Sequence, residues 1–139
     1  MNRGTLMAAA GIMLGLAGLT AARHDEEGES VKPLAAYDIA EKLDGKEAKA
    51  SAVEVTIGPG QEGMPHRHPG PGLGYVLEGE YEWAIDDQPA RILKAGETFY
   101  EPAGCLHRMS RNPGKARMRM LAWVLHPRGV KDIAVPVKK

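Results

Sequence analysis

The chain has 139 residues, 43% of them hydrophobic and 5% aromatic, which is enough for one small core and too few for several domains. Its 18 basic and 18 acidic side chains cancel. The sequence therefore lacks the net positive charge typical of nucleic-acid-binding proteins, and we expect no nucleic-acid partner. The single cysteine, Cys105, excludes an intrachain disulfide. Seventeen glycines and ten prolines favour many short turns, as in an all-β domain.

The first 22 residues have the pattern of a secretory signal peptide. Arg3 gives a positive start, residues 4–22 carry no charge, and small residues at 20–22 precede a charged segment. We therefore predict a signal peptide over residues 1–22 and a secreted or periplasmic protein with no membrane partner after cleavage. An uncleaved membrane anchor is the alternative interpretation.

The charged, glycine-containing residues 23–30 predict a flexible linker, and the folded domain is predicted over residues 31–139. Near its start, residues 34–43 have a spacing that fits either a helix or a short strand before a turn at Asp44-Gly45. The sequence leaves both interpretations open.

Beyond Ala52 the hydrophobic pattern has a period of two, which predicts half-buried β-strands. Apolar residues occupy alternate positions in two segments: Val53, Val55 and Ile57, and Tyr81, Trp83 and Ile85. A hairpin turn is predicted at Gly79 and a second turn at residues 86–89. Further strands are predicted at residues 90–93, 98–101 and 118–125.

Three histidines form a candidate metal site. His66 and His68 are two positions apart, so both imidazoles point to one face of an extended strand, and His107 can reach the same ion from a distant strand. Three imidazole nitrogens suit one divalent transition metal, for which we consider Fe, Zn, Mn, Ni and Cu. The alternative is two surface histidines near a turn and one histidine packed in the core.

Around these histidines the sequence resembles the cupins, a family of small β-barrels, and above all small single-domain bacterial cupins. The first cupin motif, G-x5-H-x-H-x3 or 4-E-x6-G, is matched at Gly60, His66, His68 and Gly79, and the second, G-x5-P-x-G-x2-H-x3-N, at Gly96, Pro102, Gly104 and His107. The resemblance implies an all-β fold, a single cupin jelly-roll β-barrel (double-stranded β-helix). It also implies one metal held by His66, His68 and His107.

Gly72 stands where the first motif has its glutamate ligand. On a strand, Gly74 and Val76 share the face of Gly72, so the wall from which a carboxylate would reach the metal has lost two side chains. We expect room there for water or substrate. Alternatively, residues 69–72 form a tight turn or bulge.

Glu101 is the candidate catalytic carboxylate. It ends a predicted strand immediately before Pro102 and has the same parity as His107. It could act as a fourth ligand, as a hydrogen-bond acceptor for a ligand histidine, or as a general base. The alternative is a solvent-facing residue at the rim of the barrel.

Basic residues late in the chain offer another set of candidates. Arg111, Arg117 and Arg119 could hold a substrate carboxylate. However, Arg117 and Arg119 alternate with Met118 and Met120 as in an ordinary strand with one wet face. We favour the ordinary strand.

Together these features predict an exported, metal-dependent enzyme of the dioxygenase or lyase/isomerase type that acts on a small organic substrate. A non-catalytic protein that binds a metal or a small ligand is the main alternative, and a metal-free barrel that serves as a dimerising module is a third. We expect a homodimer, because jelly rolls leave sheet edges and outward apolar residues uncovered, here Leu73, Tyr75 and Leu77.

Overall fold

Ten β-strands make up the computed structural model, which describes residues 28–137. They are β1 (Glu29–Leu43), β2 (Lys46–Ile57), β3 (His66–Arg67), β4 (Gly72–Glu78), β5 (Glu80–Ile85), β6 (Arg91–Lys94), β7 (Thr98–Glu101), β8 (Leu106–Arg111), β9 (Met118–Pro127) and β10 (Val135–Pro136). Within residues 28–137, no helix is long and apolar enough to cross a membrane. The predicted signal segment lies outside the described residues, and β1 begins at Glu29, inside the predicted linker.

The strands form two five-stranded sheets that enclose one core. The first sheet has the order β1-β2-β9-β4-β7 and the second the order β10-β3-β8-β5-β6. Their pairings are antiparallel. From β2 to β5 and again from β6 to β10, consecutive strands alternate between the sheets. The chain therefore winds as a double-stranded β-helix, which confirms the predicted jelly-roll barrel.

The core joins the two sheets, as the period of two predicted. Alternate residues of β2 and β5 are buried in a single cluster: Val53, Val55 and Ile57, with Tyr81, Trp83 and Ile85. The predicted turn at residues 86–89 connects β5 to β6, and the predicted strand at 98–101 is β7. Burial of these apolar side chains supplies the main stabilisation of the barrel.

Residues 34–43 belong to a strand, which decides between the two interpretations that the sequence left open. Asp44 and Gly45 have positive φ values of 49° and 74°, as the two central residues of a type I′ hairpin turn require. The turn joins β1 to β2 and leaves β1 at the outer edge of its sheet.

Gly79 does not form the predicted hairpin. Its flanking strands, β4 and β5, belong to different sheets, so the chain crosses between sheets at this glycine. Its φ is +79°, and a Cβ there would lie 2.8 Å from the carbonyl oxygen of Arg117. The hairpin prediction was wrong because a turn residue indicates a bend and not the partner of the next strand.

Two glycines of β4 lie opposite two large side chains of β7. Gly72 pairs with Glu101, and Gly74 pairs with Phe99. A Cβ on Gly74 would overlap the ring of Phe99, and a Cβ on Gly72 would lie 3.5 Å from Oε2 of Glu101. The room predicted beside Gly72 and Gly74 is therefore filled. That prediction was wrong because the filling side chains come from another strand.

We predict that Gly74→Ala destabilises the barrel by about 1–3 kcal/mol, because the added methyl group must displace the buried ring of Phe99. Gly72→Ala is the matched control, since its Cβ would make ordinary contacts at 3.5 Å. Urea unfolding with a chelator present measures both variants without a contribution from metal. Equal stability of the two variants would contradict this close packing of Phe99 against Gly74.

Candidate metal centre

The three histidines meet because β3 lies beside β8. His66 and His107 are direct partners in the antiparallel register, and His68 follows β3 by one residue. Nε2 of His66 lies 3.2 Å from Nε2 of His68 and 3.3 Å from Nδ1 of His107. The three side chains could together hold one metal ion. This arrangement agrees with the convergence that the sequence predicted.

Backbone carbonyl groups determine the tautomers of the first two histidines. Nδ1 of His66 lies 2.8 Å from the carbonyl oxygen of Met64, and Nδ1 of His68 lies 2.5 Å from that of Ile133. A carbonyl oxygen only accepts, so each Nδ1–H donates and each ring is held in place. The lone pair of both neutral rings is then on Nε2, the nitrogen that faces the cluster.

A chain of hydrogen bonds orients His107 in the same way. Ser110 donates its hydroxyl hydrogen to the carboxylate of Glu29, and Tyr81 donates to Oγ of Ser110, both at 3.1 Å. The oxygen of Tyr81 is therefore free to accept from Nε2–H of His107, which lies 3.1 Å away. This places the lone pair of His107 on Nδ1, toward His66.

Glu101 lies within the histidine cluster and not at the rim. Its side chain is 1% exposed, so the alternative of a solvent-facing residue was wrong. Oε2 lies 3.1 Å from Nε2 of His68, and Oε1 lies 3.2 Å from Nδ1 of His107. The indole N–H of Trp83 donates to Oε1 at 2.8 Å. The shared parity of Glu101 and His107 agrees with this contact, although the turn that begins at Pro102 interrupts the strand between them.

These groups fit a metal cation. With the neutral tautomers above, three nitrogen lone pairs and two carboxylate oxygens converge on one small volume. Converging acceptor atoms repel one another, and a cation placed among them removes this repulsion. A set of imidazole nitrogens with one carboxylate suits first-row divalent metals.

The acid–base properties of the cluster lead to the same conclusion. Burial alone would lower the pKa of His68, but the hydrogen bond and charge of Glu101 outweigh burial and raise it. Burial lowers the pKa of His107 to about 4, which keeps this ring neutral and able to bind a metal near neutral pH. A proton on His68 relieves part of the repulsion that a metal would relieve, so protons and metal compete for the centre.

The other candidates lie outside the cluster. Arg117 and Arg119 form ion pairs with Glu78 and Glu54, at 2.8 Å and 2.7 Å, which confirms the ordinary strand with one wet face. Cys105 is buried, and burial raises the pKa of its thiol to about 11. This thiol is therefore protonated near neutral pH, whereas a cysteine nucleophile or metal ligand needs the thiolate.

A cavity of about 730 Å³ that is open to solvent lies beside the centre and is separate from it. Its lining is rich in aromatic side chains and includes Trp83, Phe99, Tyr100 and Trp123. The three histidines and Glu101 are absent from its lining. Trp83 belongs to both places, because it lines the cavity and donates a hydrogen bond to Glu101.

Sequence reasoning missed the groups that orient the ligands. The period of two predicted that Tyr81 and Trp83 point inward, but not that Tyr81 reaches His107 or that Trp83 reaches Glu101. The carbonyl of Ile133 had no signal at all, since any residue supplies a carbonyl. These contacts depend on which strands become neighbours.

The sequence also matches a family profile that agrees with the fold and the histidine cluster. The profile of the Cupin domain matches residues 53–124, more than half of the chain, and the protein therefore belongs to the cupin family. Among curated proteins, none matches the chain in sequence.

Solved structures share the fold. An oxalate oxidase in complex with the substrate analogue glycolate is similar with a TM-score of 0.60 and 25% identity, over 93% of this chain and 63% of the oxidase chain. An RmlC-like cupin from Methanocaldococcus jannaschii with a double-stranded β-helix fold has a TM-score of 0.57 and 14% identity, over 73% and 84% of the two chains. A polyketide cyclase from Streptomyces resistomycificus has a TM-score of 0.55 and 22% identity, over 81% and 73%. The present chain thus spans less than two thirds of the oxidase.

We predict that Tyr81→Phe lowers metal affinity about 10-fold, because His107 loses the acceptor that holds its Nε2–H. Tyr75→Phe is the matched control, since Tyr75 is exposed and lies on the outer face. Competition with a chelator measures the affinity, and thermal unfolding of the metal-free variants separates affinity from stability. Wild-type affinity in Tyr81→Phe would show that this hydrogen-bond chain does not orient His107.

Proposed function

We propose that this protein is an exported, metal-dependent cupin enzyme that acts on a small organic acid, by oxidation with dioxygen or by a lyase or isomerase reaction. The observation that carries the proposal is the convergence of three imidazole nitrogens, from His66, His68 and His107. The proposal of export rests on the signal pattern of residues 1–22 alone.

The chain contributes a set of ligands that hydrogen bonds hold in place. A bound divalent transition metal supplies a Lewis acid for a substrate oxygen and, if it is redox-active, electron transfer with dioxygen. The carbonyls of Met64 and Ile133 and the hydroxyl of Tyr81 hold the three imidazoles at fixed angles. Ligands fixed in advance do not have to reorganise when substrate arrives.

Exposure around the centre supports a small substrate. His107 is 3% exposed and Glu101 is 1% exposed, while His66 and His68 are only partly buried. Substrate therefore approaches on the side of His66 and His68, next to the exposed Met64. A centre that opens on one side suits a small molecule better than a polymer.

The similarity to oxalate oxidase supports an organic acid as the substrate class. That enzyme binds glycolate as a substrate analogue, and small acids of this kind carry carboxylate and hydroxyl oxygens that suit a bound metal. Because the chain spans 63% of that oxidase, the similarity supports a class of substrate and not one particular acid.

We predict close to one first-row transition metal per chain after gentle purification, and turnover of at least one acid from a panel that includes oxalate and glycolate. His66→Ala combined with His68→Ala removes two of the three imidazoles and should abolish both metal content and turnover. Elemental analysis, oxygen uptake and product analysis are made on the same preparations. Product without oxygen uptake would identify the lyase or isomerase type.

His126→Gln is the matched control for this experiment. His126 is also a buried histidine, but it lies outside the cluster and bonds to Ser51, so the variant should keep its metal. Full metal occupancy in the double variant would contradict the assignment of the site. Metal without turnover of any acid would contradict the catalytic proposal and favour the binding protein.

We also propose that the protein forms a homodimer through the outer face of β4 and its neighbours. Leu73 and Tyr75 are exposed as predicted, whereas Leu77 is partly buried. Tyr100 and Trp123 are the direct cross-strand partners of Leu73 and are also exposed. The result is a continuous apolar patch near the edge of the sheet, which a second copy of the chain would cover.

We predict that Leu73→Glu converts the dimer to a monomer, because a carboxylate in the centre of this patch would be buried without a partner. Ile92→Glu is the matched control, since Ile92 is equally exposed but lies in the other sheet. Light scattering at high micromolar concentration measures the mass. A monomeric wild-type protein would contradict the proposal.

A further inference from the structure

Position 72 faces the histidine cluster, but the carboxylate in that space belongs to Glu101. A Cβ on Gly72 would lie 3.7 Å from Cδ2 of His68 and 3.5 Å from Oε2 of Glu101. In the first cupin motif this position carries the glutamate ligand. Gly72 of β4 and Glu101 of β7 are direct partners in the ladder, so their side chains leave neighbouring strands toward the same space.

We propose that Glu101 is the fourth metal ligand, and that the carboxylate of the centre has moved across the ladder from β4 to β7. This inference rests on the proposed metal site and adds a residue to it. Its consequence is that the protein has a complete set of three imidazoles and one carboxylate, although its first motif lacks the glutamate.

The nitrogens that Glu101 contacts distinguish a ligand from an orienting group. A carboxylate that orients a ligand histidine accepts from the outer N–H, the one that points away from the metal. Here the outer N–H groups are already used by Met64, Ile133 and Tyr81. Glu101 instead contacts the inner nitrogens of His68 and His107, at 3.1 Å and 3.2 Å. Its oxygens therefore lie among the atoms that would surround a metal.

Trp83 leaves one oxygen of this carboxylate available. Its indole N–H donates to Oε1 at 2.8 Å, and this bond restrains the position of Oε1. Oε2 is directed toward His68. A buried carboxylate with one strong hydrogen bond and no exposed edge is stabilised by a cation on its other oxygen.

The two glycines of β4 are explained by the same arrangement. The side chains of Glu101 and Phe99 lie against β4. Glu101 is opposite Gly72, and Phe99 is opposite Gly74. A glutamate at position 72 would meet the carboxylate of Glu101 in the same buried space. The loss of the motif glutamate and the presence of Glu101 are therefore two parts of one exchange between adjacent strands.

Titration of the metal-free protein with Co²⁺ tests the proposal, because the visible absorption of Co²⁺ depends on its ligands. Glu101→Gln keeps the shape of the side chain and an oxygen for Trp83 but removes the charge. We expect it to weaken Co²⁺ binding by about 100-fold or more and to change the absorption spectrum. Loss of an orienting group typically costs ~10–100-fold, so the change in spectrum is the decisive reading.

An exchange of positions supplies a second and independent reading. Glu101→Ala should lose Co²⁺ affinity, and adding Gly72→Glu to Glu101→Ala should recover at least about tenfold of that loss, because the carboxylate then returns from β4. Gly72→Glu by itself places two carboxylates in one space and should bind Co²⁺ no more tightly than the wild type. Thermal unfolding without Co²⁺ shows that each variant is folded.

Two results would overturn the proposal. One is a Glu101→Gln variant that binds Co²⁺ with the wild-type spectrum and with an affinity within about threefold of the wild type. The other is an exchanged variant that binds no better than Glu101→Ala, which would make Glu101 a local structural group. In both cases the three-histidine site remains, whereas Co²⁺ binding that survives His66→Ala with His68→Ala would refute the site itself.

Discussion

The antiparallel register between β3 and β8 is the constraint on which the centre depends. It places His66 directly opposite His107, and these residues are 41 positions apart in the chain. A shift of one residue would turn one of the two imidazoles to the other face of the sheet. The tertiary fold therefore fixes the geometry of the site through the pairing of two short strands, with little help from local conformation.

The surrounding hydrogen bonds convert this geometry into a site for a cation. Two carbonyl oxygens and one tyrosine accept the outer N–H groups, so the inner nitrogens are left with lone pairs. The chain from His107 through Tyr81 and Ser110 ends at Glu29, which ties the first strand of the domain to the innermost ligand. Because the imidazoles are held in place and their acceptor nitrogens converge, this part of the interior favours the binding of a metal ion.

Exchange of large and small residues between β4 and β7 shapes the same region. β4 has glycines at positions 72 and 74, and the space beside them is occupied by Glu101 and Phe99 of β7. Because the core is close-packed, a large residue on one strand requires a small one opposite. A motif that is read along one strand misses this, since the missing group can be supplied by the adjacent strand.

The sequence by itself determined the class of fold and the three histidines. A period of two and abundant turn residues depend on local geometry, and they predicted an all-β domain and its core. The spacing of His66 and His68 predicted that both could meet His107 at one ion, and the resemblance of the two motifs to the cupins implied the jelly-roll barrel. The tertiary structure alone decided the position of Glu101, the crossing at Gly79 and the contacts of Tyr81 and Ile133. Each of these depends on which strands pair and in what register. The pairing of strands is stabilised by burial of the whole core, which comes from many segments of the chain, so no short segment of sequence predicts the pairing by itself.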